Sequence, residues 1–117
     1  MAASPVAADD ESPCFAKGQT YEIAKCLAAA RVQDEGELNH RYRTIMGVLA
    51  AADRLRLKKA QRAWVAYREA TCDAEYRLWD GGTGGPLALL ACLDREARRR
   101  TAELEQTYRL RLQRLER

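Results

Sequence analysis

A chain of 117 residues with a formal net charge of +3 is long enough for one modest hydrophobic core and too short for two ordinary domains. Aromatic residues make up only 7%, whereas alanine, leucine and arginine abound, a bias that favours helices over sheets. Arginine alternates with glutamate instead of forming one block, which predicts a solvated mixed-charge surface and no nucleic-acid binding, and no apolar run reaches the length of a transmembrane segment.

From the N-terminus, residues 1–19 read as a flexible lead rich in alanine, proline, serine and acids, with Cys14 inside it. The opening MAASPVAADDESP holds no signal peptide, so the sequence is read as starting after a removed export signal, with Met1 added. Residues 20–117 read as a single helical domain. Thr20 is the expected N-cap of a first helix over 20–52, along which Ile23, Leu27, Leu38, Tyr42, Ile45 and Leu49 recur at helical spacing. Gly36 and Gly47 weaken this helix without ending it.

Asp53 is placed to cap a second helix over 54–79, with an apolar stripe of Leu57, Ala60, Trp64, Tyr67, Thr71, Ala74 and Leu78 in alternating steps of three and four. The run Gly81-Gly82-Thr83-Gly84-Gly85-Pro86 stops it, because glycine is costly inside helices and Pro86 suits the first turn of the next one. A third helix over 86–115 then turns Leu90, Leu93, Ala97, Thr101, Leu104, Tyr108, Leu112 and Leu115 inward, with Arg95, Arg98, Arg99 and Arg109 facing water. The expected fold is all-α: an antiparallel three-helix bundle of long helices.

Four cysteines, Cys14, Cys26, Cys72 and Cys92, accompany a single histidine, His40, and form no CxxC pair. That pattern suits two disulfides better than a zinc site or four reduced thiols, and it implies an oxidising compartment. Three pairings are open from sequence alone. Height along the bundle ranks them: Cys72 and Cys92 stand nearly level on either side of the glycine loop, while Cys26 lies ~10 Å from the level of Cys72, beyond disulfide reach. Cys14–Cys26 with Cys72–Cys92 is therefore the favoured pairing.

Cys14 and Cys26, Leu38-Asn39 with Tyr42, then Gln61-Arg62-Ala63-Trp64 with Tyr67-Arg68 and Cys72, then a glycine-rich loop and Cys92, form an ordered signature over about residues 14–110. It resembles the LprI-like lysozyme inhibitor N-terminal domain family, small exported helical domains of bacteria named after a lipoprotein member that inhibits lysozyme. No lipobox is present here, so lipid anchoring is not carried over. The resemblance implies a protein partner, lysozyme or another muramidase, and a periplasmic or secreted location.

Each signature residue also has an architectural reading. Trp64 and Tyr67 lie on the predicted buried stripe; Gln61, Arg62 and Arg68 flank it, with Arg68 placed to bond across to the first or third helix; Asn39 is placed to satisfy a bond within the bundle. No catalytic residue is expected, because His40 lacks a nucleophile or orienting partner and no cysteine is expected to be free. No cofactor or metal motif appears, and the cysteine separations differ from those of twin Cx9C import proteins. The candidate partner-binding residues are the loop, Gly81, Gly82, Thr83, Gly84 and Gly85, together with Asp34, Glu35 and Glu37, which form an acidic patch near Glu69 and Asp73. The net positive charge opposes approach to basic lysozymes. Competing readings are a periplasmic interaction module for a different envelope partner and self-association through Leu110.

Overall fold

A computed structural model describes residues 12–114; the rest of the predicted lead, residues 1–11, and Leu115 lie outside the described residues. Helices α1 (Thr20–Val48), α2 (Ala51–Arg77), α3 (Gly84–Thr107) and the short α4 (Arg109–Gln113) follow a 3-10 helix at Pro13–Lys17. The described residues contain no strand. The described part of the lead is thus structured, with Cys14 buried and Ser12 accepting a bond from its amide at 3.2 Å.

The helix ends differ from the sequence-based expectation for local reasons. Thr20 is the first helical residue instead of the cap, and Gln19 precedes it in extended conformation. Leu49 and Ala50 are both extended, so α1 stops short of residue 52 and α2 begins at Ala51. Asp53 then falls inside the first turn of α2, where its carboxylate accepts from Arg56 at 2.9 Å instead of capping the helix. At the other end α2 closes at Arg77. Asp80 and Gly81 follow with φ of 48° and 81°, a left-handed conformation that no helix continues through and that glycine adopts at least cost. The predicted third helix is split at Tyr108, whose φ of −103° and ψ of 17° leave the helical region.

The centre of the fold is α3. Both α1 and α2 pack chiefly against it, and the order of cross-helix partners gives the directions. Between α1 and α3 the partners advance together, Asp34 with Arg98 and Arg41 with Glu105. Between α2 and α3 they advance in opposite senses, Gln61 with Arg100 and Cys72 with Cys92. One core cluster joins Leu38, Ile45, Leu49, Leu57, Ala97 and Leu104, with Tyr42, Trp64 and Tyr108 packed on it; a second joins Cys14, Ile23 and Leu27 beneath Leu87, Leu90 and Ala91. Each fully buried leucine contributes roughly 1.5–3 kcal/mol.

Two disulfides staple this frame, Cys14–Cys26 and Cys72–Cys92, each with Cα atoms 5.6 Å apart. The first ties the 3-10 helix to α1, and the second ties α2 to α3 just below the glycine loop.

The inner stripe of α2 is rotated from the expected one. Leu57, Gln61, Trp64, Arg68, Cys72 and Glu75 face inward or lie half-buried, while Ala60, Tyr67, Ala74 and Leu78 are exposed. Tyr67 is therefore not a core residue; 53% of it is exposed. The polar residues turn inward because each meets a partner: Arg100 Nε donates to Gln61 Oε1 at 2.9 Å, Arg68 pairs with Glu35, and Arg95 pairs with Glu75. Burying a paired, hydrogen-bonded charge removes the penalty that would otherwise hold it at the surface.

The same correction applies to Arg95, expected in water but only 19% exposed as a side chain. The central position of α3 buries two acids as well, Asp94 beside Arg98 and Glu96 beside Arg95 and Arg99.

Candidate functional site

The signature residues converge on one groove. Leu38, Asn39 and Tyr42 from α1 and Gln61, Arg62, Trp64 and Arg68 from α2 line an open hollow of about 300 Å³ between the two helices. Helical spacing explains the convergence, since 38, 39 and 42 share one side of α1 while 61, 64 and 68 share one side of α2. Its floor is part of the core: Leu38 is buried and Trp64 is half-buried. The Arg68 guanidinium stands 4.5 Å from the Trp64 ring centroid and reaches Glu35 across the groove, so one side chain joins a cation–π contact to an ion pair. Asn39, expected to bond within the bundle, is exposed on the rim. Tyr67 lies outside this groove and lines a second hollow with Trp64, Glu96, Arg99, Arg100 and Glu103.

The acidic candidates are separated by the fold. Glu35 is held by Arg68, with Arg31 Nε at 3.8 Å. Asp34 turns toward α3, where Arg98 Nε lies 3.8 Å from it and 3.2 Å from Asp94. Burial raises the Asp34 carboxyl to about 6, helped by the Asp94 carboxylate that shares a hydrogen bond with it and opposed by Arg98. One Asp94 oxygen is buried without a donor, and Asp34 in its protonated form is the neighbour able to supply one. These two acids are structural cross-links between helices, and only Glu37 is exposed.

The loop candidates are presented differently. The Trp79 ring lies directly over Gly84, where a Cβ would stand 2.3 Å from a ring carbon, so only glycine admits this packing. The Gly82 amide donates to the Trp79 carbonyl at 2.8 Å and the Gly85 amide to Gly82 at 3.1 Å, closing the turn. The result is a shaped tip that carries Leu78, 82% exposed, and Trp79, 52% exposed. The glycines were legible as a turn; Leu78 and Trp79 were not, because their helical spacing assigns Leu78 to the core. The acids of residues 69–94 are mostly paired or buried: Asp73 meets Arg77, Glu75 meets Arg95, and Asp94 is buried beside Arg98.

Among the described residues no group of three or more His, Cys, Asp or Glu is placed to hold a metal ion, and no helix is long and apolar enough to cross a membrane.

The family described as lysozyme inhibitor LprI matches residues 13–104 of the chain. The chain belongs to the LprI family. That span of the LprI domain contains both disulfides, the groove and the tip. An uncharacterized protein of Rhizobium meliloti (strain 1021) is 34% identical, over 62% of this chain and 61% of its own length. The LprI chain thus spans less than two thirds of that relative. No solved structure matches it.

Proposed function

We propose that this LprI-family chain is an exported bacterial protein, periplasmic or secreted, that inhibits a lysozyme or related cell-wall hydrolase by surface binding. The frame is read as an antiparallel three-helix bundle that presents the glycine-loop tip to the enzyme cleft. Family membership carries this reading. It is supported by the two disulfides, which belong in oxidising compartments, and by the tip itself. A half-exposed tryptophan seated on a hydrogen-bonded turn is the residue type on which binding energy concentrates.

The test is titration of muramidase activity on cell walls with the purified domain. Inhibition is expected, and Trp79→Ala with Leu78→Ser should weaken it at least tenfold while the helical content stays unchanged, since both side chains are largely solvent-exposed. Gly84→Ala, which pushes the Trp79 ring off its seat, should act in the same direction. Glu37→Lys probes the one exposed acid of its group without breaking an interhelical pair. Absence of inhibition by high-micromolar domain across several lysozyme types would overturn the reading, and capture of a different envelope protein would replace it with an interaction module.

A further inference from the structure

Charge is segregated along this chain in a way its mild net value conceals. Residues 38–68 hold eight arginines and lysines against the single acid Asp53. Because α1 turns into α2 at Leu49–Ala50, the first three turns of α2 stand at the end of the molecule opposite the glycine loop. Leu55 and Leu78 are 23 residues apart on it, a rise of ~35 Å. Every cation from Arg54 to Arg62 is exposed, and α4 adds Arg109 and Arg111, which are also exposed. Arg56 and Arg111 line one hollow at this end, so the two basic segments adjoin. Within the stretch Arg54–Arg62 only Arg56 has an ion-pair partner among the described residues, the exposed Asp53.

Two leucines sit among these cations. Leu55 is 70% exposed and Leu110 68% exposed; Leu110 shares the hollow with Arg56, Arg111 and the single acid Asp53. Leu55, Lys59 and Arg62, in steps of four and three, occupy the same outward face of α2. The combination decides the kind of partner. A duplex nucleic acid would engage the cations and leave the leucines in water, and a basic enzyme would be repelled. A bilayer with anionic headgroups satisfies both sets, the cations at the phosphates and the leucines at the acyl boundary.

We propose that the α2–α4 end is a docking surface for anionic phospholipid membranes, holding the domain with its glycine-loop tip directed away from the bilayer. This rests on the charge and apolar distribution and is independent of what the tip binds.

Co-sedimentation of the whole chain with vesicles tests it. Binding is expected to mixed phosphatidylglycerol–phosphatidylcholine vesicles and not to pure phosphatidylcholine, and to fall severalfold as salt rises from about 50 to about 300 mM. Lys59→Glu with Arg62→Glu should weaken it more than tenfold, Leu55→Ser with Leu110→Ser at least threefold, and Trp79→Ala should leave it unchanged. Equal binding to neutral vesicles, indifference to either double variant, or loss on Trp79→Ala would overturn the proposal. So would duplex DNA binding as tight as that to the anionic vesicles and unaffected by the leucine changes.

Discussion

At the scale of single residues, what a side chain does here is decided by the partner that arrives from another helix. Arg68 and Gln61 are interior residues because Glu35 and Arg100 meet them, and Tyr67 is exposed because those two positions take the inward face. The Asp34–Asp94–Arg98 group is the most sensitive of these arrangements. A carboxyl whose folded-state value is raised contributes stability that is fully present below its ordinary value of 3.8 and is lost as pH rises through about 6. Asp34→Asn, which keeps a neutral donor beside Asp94, is therefore expected to be more stable than the parent at pH 7–8 by on the order of 1–2 kcal/mol, with the gap closing below about pH 4. Urea unfolding at several pH values measures it; a constant difference across the range would refute the shared-proton account.

At the scale of elements, the helices follow from periodicity and punctuation, and their ends do not. The glycine run stops α2 as composition requires, but Asp53 fails as a cap because extended Leu49 and Ala50 start the helix earlier. Helix rise ranks the disulfide pairings: two positions level across a turn can bridge, and two positions nearly two turns apart cannot. The Cys72–Cys92 bond closes a separation of 20 residues around the loop that presents Trp79. Replacing both cysteines with serine should lower unfolding free energy by about 3 kcal/mol through the gained entropy of the unfolded chain, read as a lower urea midpoint. A non-reducing mass about four hydrogens below that of the reduced chain checks that both bonds are formed.

At the scale of the whole molecule, α3 is the shared wall, since α1 and α2 pack chiefly on it, and Arg68 with Glu35 bridges the groove between them. Leu104, buried where α3 meets the principal core, tests this. Leu104→Ala should cost about 3 kcal/mol, and calorimetry should still show one transition, because a cavity in the common partner weakens both flanking helices together. Two resolved transitions would mean that α1 and α2 are stabilised separately. Much of this molecule is determined by sequence alone: the all-helical class, the loop and the family, because periodicity, glycine cost and an ordered signature are local or one-dimensional properties; helix rise ranks the disulfide pairings without settling them. The segregation of charge is also written there, in the acid-poor run of 38–68, although an average over the chain hides it. Only the tertiary structure decides that the signature lines a groove, that Asp34 and Glu35 are cross-links instead of an exposed patch, and that Leu78 is exposed at the tip beside a half-exposed Trp79. Each of these depends on which face of α2 turns inward, and that rotation is set by polar partners on α1 and α3 that no pattern within α2 records.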